Sequence, residues 1–203
     1  MLAGAFVAAA LFGANAIAQT IAPSQNVSIY TSQSNANTYS NGPFVGNAGD
    51  GEISRLYEQF VLPSYTAGTV VTSATLNLHY DGPYNGATGP LDFYSTSNAW
   101  NGASITWLNQ PGAVGGVITS FNLTTTGVVT IDLTASANAA YQNGGVFSFL
   151  VKSPNEGSRL NDWRYIRDES LTVNIAAVPE PASYAMLLLG IGLVGVWVRR
   201  RAA

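Results

Sequence analysis

The sequence predicts an all-β fold, an antiparallel β-sandwich of the jelly-roll type, carrying a signal helix before it and a single transmembrane helix after it. Three observations lead there. Apolar residues recur with a period of two in several short runs, Gly, Pro, Asn and Asp cluster between those runs, and nowhere does a strand pattern alternate with a long helical one. Charged residues make up 9% of the 203, while 21 are glycine. That composition suits packed strands and tight turns rather than a disordered chain.

In chain order, Leu2 to Ala18 is an apolar, alanine-rich run ending in Ala16-Ile17-Ala18. Its length and its small-x-small ending are those of a signal peptide, with cleavage after Ala18 and Gln19 as the first mature residue. No Lys or Arg precedes the run. Residues 19–177 form one domain, which opens with Val27 and Ile29 at strand spacing. Leu56, Glu58, Phe60 and Leu62 share one face of the next strand. A carboxylate on an apolar face is costly alone, so Glu58 is expected to pair with a guanidinium, Arg164 or Arg167.

Ala74, Leu76, Leu78 and Tyr80 alternate with Thr75, Asn77 and His79, and Asp81-Gly82-Pro83 and Asn85-Gly86 read as turns. Gly115-Gly116 and Asn155-Glu156-Gly157 read in the same way. Val129, Ile131 and Leu133 form another strand, as do Phe147, Phe149 and Val151, and then Leu171, Val173 and Ile175. Between the first two of these, Thr134 to Asn143 reads as a short helix with Thr134 as its N-cap and glycine past its end.

Residues 178–203 form a separate tail. Ala182 to Val198 is uncharged, and seventeen helical residues at ~1.5 Å each span about 26 Å against a hydrocarbon core of ~30 Å. Arg199, Arg200 and Arg201 follow directly, and positive charge beside a span favours the cytoplasmic side, leaving the domain outside. Just before the span stand Pro179, Glu180 and Pro181. Prolines on both sides keep Glu180 extended and out of the helix. A Pro-Glu-Pro motif, one apolar helix and an arginine cluster, in that order, resemble the PEP-CTERM sorting signal of Gram-negative bacteria. The resemblance implies recognition by an exosortase, a membrane-held intermediate in the inner membrane, and delivery to the cell surface or an extracellular biofilm matrix.

A second resemblance lies in the body. Tyr57-Glu58-Gln59-Phe60-Val61-Leu62-Pro63, Ala74-Thr75-Leu76-Asn77-Leu78, Trp100 through Ile105-Thr106-Trp107-Leu108-Asn109-Gln110-Pro111, and Ile131-Asp132-Leu133-Thr134 look like the ordered blocks of DNRLRE-domain proteins. That family is similar to carbohydrate-binding modules, and the resemblance covers roughly Ser24 to Ile175.

The chemistry open to the chain is narrow. It has no cysteine, which removes disulfides, zinc-thiolate centres and a thiol nucleophile. Its one histidine, His79, belongs to the polar face of its strand, and no Gly-x-Ser-x-Gly turn is present, which argues against a Ser-His-Asp hydrolase. Asp50-Gly51-Glu52 reads as a solvated turn rather than a calcium loop. A net charge of -3, with a basic cluster only at the tail, argues against a nucleic-acid partner. No cofactor and no metal are expected.

Aromatic faces remain, since they offer apolar area to sugar rings. Trp163 lies in the polar segment Arg159-Leu160-Asn161-Asp162-Trp163-Arg164-Tyr165. Trp163, Asn161, Arg164 and Tyr165 therefore form the candidate glycan site, with Tyr80, Tyr84 and Asn85 as a weaker one. Trp100 and Trp107 are expected to pack. The leading expectation is a non-catalytic exported module that binds polysaccharide or serves structurally. The alternative is a small polysaccharide-active hydrolase or lyase, which needs two carboxylates, or a Tyr/Arg/His group, converging in a cleft.

Overall fold

The computed structural model describes residues 16–33, 44–83, 89–157, 161–178 and 181–201. Its strands are β1 Ile17–Ile21, β2 Gln25–Tyr30, β3 Phe44–Asn47, β4 Ile53–Val61, β5 Thr69–Pro83, β6 Leu91–Thr96, β7 Ala113–Phe121, β8 Gly127–Asp132, β9 Val146–Lys152 and β10 Arg164–Ala177. Helix α1 is Thr134–Gln142, and α2 is Pro181–Arg201. The described pairings are antiparallel, as expected. The order is β7-β6-β9-β4-β3-β10-β5-β8, with β1 added to β10 and β2 to β4. The expected jelly roll has two separate sheets, whereas here β3 joins them into one curled sheet by pairing with β10 through Phe44 and Val45 and with β4 through Gly46 and Asn47.

The curl closes over one core. Leu56 and Phe60 of β4, Phe93 of β6 and Phe147, Phe149 and Val151 of β9 meet Leu76, Leu78 and Tyr80 of β5 and Leu171 and Val173 of β10. Apart from Phe93, these are the positions that the period-two pattern put on one face. Each large side chain removed from water contributes about 1.5 to 3 kcal/mol, which makes this interior the main source of stability.

A second, smaller cluster lies on the outer face of the β2-β4-β9 half, where Trp100 and Ile105 from the loop at 97–112 cover Val27, Ile29, Tyr57 and Leu150. That cover explains why β9 is buried on both faces. It also gives the block from Ile105 to Pro111 a structural reason. Ile105 is the apolar plug. Asn109 ties the loop to itself, accepting from Thr106 N–H at 2.6 Å and donating to the Ser104 carbonyl at 2.9 Å, while the Tyr57 hydroxyl donates to the Pro111 carbonyl at 2.8 Å.

The crossing strand β3 admits only glycine at position 46. Gly46 has φ +115°, and a Cβ there would stand 2.5 Å from the Asp162 carbonyl oxygen. Asp162 is the other half of this close approach. Its backbone N–H donates to the Asn47 carbonyl at 2.8 Å, its Oδ1 accepts from Asn47 N–H at 2.5 Å, and its Oδ2 accepts from the Ser153 hydroxyl.

Several local expectations need correction. Asp81-Gly82-Pro83 does not turn but ends the long β5, and Gly115-Gly116 lies inside β7, where a register shift against β6 absorbs the glycine pair as an irregularity. Asn85-Gly86 lies outside the described residues. In α1, Leu133 rather than Thr134 is the capping residue, because the Thr134 hydroxyl oxygen is spent on Ala74 N–H at 2.9 Å while Asp132 receives Thr134 N–H at 2.9 Å.

At the N-terminus, residues 1–15 of the expected signal helix lie outside the described residues. Ile17 and Ala18, expected in that helix, instead belong to β1, paired with Ile175 and Asn174. The edge of β10 supplies the unsatisfied N–H and C=O groups that draw this segment into a ladder. At the other end, Pro181 opens α2, and Arg201 stacks on Trp197 at 3.6 Å, with Arg199, Arg200 and Arg201 at the helix C-terminus where positive charge opposes the dipole. Pro179 and Glu180 lie outside the described residues. The expected transmembrane helix over 182–198 is not found: among the described residues no helix is long and apolar enough to cross a membrane. The uncharged run is shorter than the hydrocarbon core is thick, and Gly190, Gly192 and Gly195 add almost no apolar area to it.

Candidate functional site

The outward-facing residues of β4, β6 and β9 form a shallow platform beside the loop at 97–112. On β4, Arg55 points out between Leu56 and Ser54, which point in. Its guanidinium is gripped by Glu156, with Nε to Oε1 at 2.8 Å and Nη2 to Oε2 at 2.6 Å, and Nη1 donates to Gln110 Oε1 at 2.9 Å. Held in this way, it lies 4.6 Å from the ring centre of Trp107. The Glu156 hydrogen bonds push the Arg55 pKa up, so its charge is permanent. Burial pushes the Tyr57 hydroxyl well above the ordinary phenol range, so it stays protonated and donates to the loop.

A second aromatic lies on the same face. Tyr94 of β6 has the Lys152 ammonium 5.1 Å from its ring centre, and its hydroxyl donates to Asp92 Oδ2 at 3.2 Å. Trp107 and Tyr94 are both half-buried, packed by one side on the small outer cluster, and Leu108 next to Trp107 is 69% exposed. The arrangement presents two held aromatic rings, each with a cation, while the Gln110 amide is engaged by Arg55, Tyr57 and the Trp107 carbonyl and braces the loop. Nothing in it is a nucleophile paired with a base.

The family-model match decides what this fold is. Residues 17–170 match carbohydrate-binding module family 96. The chain belongs to that family. Residues 177–202 of the module's tail match the PEP-CTERM protein-sorting motif. No curated protein matches the chain in sequence. A solved structure, the K1 cleaved adhesin domain of Lys-gingipain from Porphyromonas gingivalis W83, is similar at 13% identity over 80% of this chain and 98% of that one. With a TM-score of 0.30 it carries no argument.

The module places the expected glycan residues elsewhere than in an exposed loop. Trp163 is 7% exposed, wedged 5.5 Å from the Phe44 ring and 5.8 Å from the Tyr30 ring. Arg164 is 0% exposed and donates from Nη2 to the Gly89 carbonyl at 2.8 Å, while its Nε and Nη1 find no acceptor. Burial lowers its pKa, partly offset by Tyr80 and Asp162. Asn161 and Tyr165 are half-buried, the latter edge-on to Phe44 at 5.1 Å. The segment is buried because β10 begins at Arg164 and is drawn against β3. Tyr80 is also buried, and Tyr84 and Asn85 lie outside the described residues. Trp100 and Trp107 both pack as expected, Trp100 within the outer cluster and Trp107, half-buried, against its rim. The sequence reading missed Tyr94 and Arg55. Tyr94 next to the inward Phe93 was the available signal.

Glu58 faces the core as its alternation requires, but neither expected arginine pairs with it. Arg167 is spent on Asp81, with Nε to Oδ2 at 2.6 Å, and on Asp168, and Glu58 is fully buried with no hydrogen-bond partner for either oxygen. Burial first, and the neighbouring Glu169 second, push its pKa well above the ordinary 4.5. Such a carboxyl cannot act on a glycan, because no substrate reaches it. In metal-free buffer the neutral Glu58 of the folded chain supports folding fully below about pH 4.5, the unfolded value, and that contribution is lost as pH rises through the raised folded value. Glu58→Gln should therefore flatten the decline in unfolding free energy between pH 4.5 and 8. Urea melts across that range with an unchanged slope would refute the assignment.

Proposed function

We propose that this chain is an exported, non-catalytic protein whose module binds polysaccharide through Trp107 and Tyr94, and whose tail is processed by an exosortase that delivers it to the cell surface or the exopolysaccharide matrix of a biofilm. The observation that carries the reading is the Trp107–Arg55–Glu156 assembly, a half-exposed indole locked in place on a carbohydrate-binding fold. An indole fixed before binding loses little rotamer freedom on contact with a sugar ring, and the Lys152 ammonium beside Tyr94 supplies a polar contact. Water competes for every hydroxyl, so the affinity is expected in the millimolar to micromolar range, about -4 to -8 kcal/mol.

Purified chain on an array of neutral and acidic glycans should be retained by at least one class, with Trp107→Ala and Tyr94→Ala each reducing retention by about tenfold or more and leaving the melting transition cooperative. A reducing-sugar assay on the same glycans should stay flat. Release of sugar ends would replace this reading with the hydrolase or lyase.

Sorting is tested separately. With Pro179, Glu180 and Pro181 all changed to alanine, the protein should accumulate unprocessed in the inner membrane of a host with an intact exosortase. Arrival of that variant at the surface at the normal mature size would sink the sorting proposal without touching the sugar platform.

A further inference from the structure

At the open seam between the two halves of the sheet, the register of β10 breaks between Arg167 and Ser170, with Asp168 at φ 56°. A cavity of about 440 Å³ opens there, lined by Pro23, Asn26, Tyr165, Ile166, Arg167, Asp168 and Glu169. Behind its wall three oxygen-bearing side chains converge from three strands. Asn26 of β2 and Glu58 of β4 are direct cross-strand partners, so their side chains leave the sheet on the same face. Asn26 Nδ2 donates to Glu169 Oε2 at 3.0 Å, which brings the β10 carboxyl to the same place.

The electrostatics of this cluster are incomplete. Both Glu58 oxygens and the Asn26 Oδ1 are buried without a donor. Burial disfavours both carboxyls as anions where they stand, with Glu169 adding to the effect on Glu58 and Asp168 to that on Glu169. The basic side chain nearest along β10, Arg167, is already spent on Asp81 and Asp168, and Arg164 turns to Gly89. Buried carboxylates are found paired or coordinating a cation, and the one donor here, Asn26 Nδ2, serves Glu169 alone. Oxygen donors of this kind, carboxylate and amide, suit a hard cation. Among the described residues no three His, Asp or Glu side chains gather as a metal centre, so the donor set is two carboxyls completed by an amide oxygen.

We propose that Glu58, Glu169 and the side-chain oxygen of Asn26 hold a divalent cation of the calcium type, which ties β2 and β4 to the irregular turn of β10 at the seam of the sandwich. The cation supplies the positive charge that the chain does not, and it bridges the β2–β4 ladder to β10, which pairs with neither strand at this point. Calcium accepts irregular oxygen geometry and leaves room for water from the adjoining cavity, whereas magnesium demands a near-ideal octahedron.

The test uses the purified full chain, stripped with EDTA and returned to chelator-free buffer. Calcium chloride should raise its melting temperature by about 5 to 10 °C at saturation. Terbium should bind once per chain, with luminescence sensitised through Tyr165 and displaced by calcium. Glu58→Gln and Glu169→Gln should each abolish the calcium shift. Glu58→Gln in EDTA should melt no lower than the stripped native chain, because it replaces a repelled carboxyl with a neutral amide of the same shape, and this separates lost binding from failed folding. The proposal is overturned by a native chain that shows no saturable calcium binding, by a calcium shift that survives both glutamine variants, or by a larger shift with magnesium than with calcium. Calcium binding lost in Glu52→Gln but kept in Glu58→Gln would move the cation to the Asp50–Glu52 turn and overturn it as well.

Discussion

Trp163→Ala is expected to destabilise the protein by about 3 to 5 kcal/mol, the cost of removing a large buried aromatic whose site cannot collapse. Its ring fills the space between Tyr30 at the end of β2 and Phe44 at the start of β3, so the cavity would open where the chain crosses from one half of the sheet to the other. Trp107→Ala should cost no more than about 1 kcal/mol, a half-exposed ring with one cation–π contact. Urea denaturation of the two variants side by side checks the contrast. The composition of the segment around Trp163 pointed the other way, to a ligand platform, and equal stability losses in the two variants would remove the basis for assigning Trp107 to the surface.

Asp162→Ala is expected to cost about 3 to 5 kcal/mol as well, for a different reason. The change strips the acceptor from Asn47 N–H and from the Ser153 hydroxyl, and it removes the negative charge that favours the buried Arg164 guanidinium. An unpaired buried donor costs about 1 to 3 kcal/mol by itself. Asp162→Asn keeps the shape and loses the charge, so its deficit isolates the electrostatic part. Adding Arg164→Met to Asp162→Asn should recover some of that deficit, since the uncompensated charge is then gone. If the double variant is less stable than the sum of the singles, the charge is not what Asp162 contributes.

How legible each feature was follows from the range of the interaction that makes it. Alternation along Ala74 to Tyr80, Phe147 to Val151 and Leu171 to Ile175 is a local property, and all three runs are core-facing strands. Of the strands that escaped notice, β6 carries that signature in Leu91 and Phe93 and was missed, whereas the others lack it. In β7, Gly115 and Gly116 dilute the pattern on an exposed edge, and β1 and β3 are short and are made strands by the neighbours they pair with. Glu58 shows the limit most directly: its face was readable from β4 alone, but its neighbours come from β2 and β10, and so the expected arginine was the wrong partner.

By itself the sequence determined the antiparallel β class, the faces of the principal strands, the short helix near residue 134 and the order of the tail motif, because periodicity, turn residues and proline constraints act over a few positions. Only the tertiary structure decided which aromatics are surface and which are core. Trp163 sits in the more polar surroundings of the two along the chain, but it precedes a strand that docks on β3, while Trp107, between Thr106 and Leu108, is on a loop laid over the outside of the sheet and held there by Arg55. Burial depends on what packs from distant positions, and that information is not contained in the residues on either side of an indole.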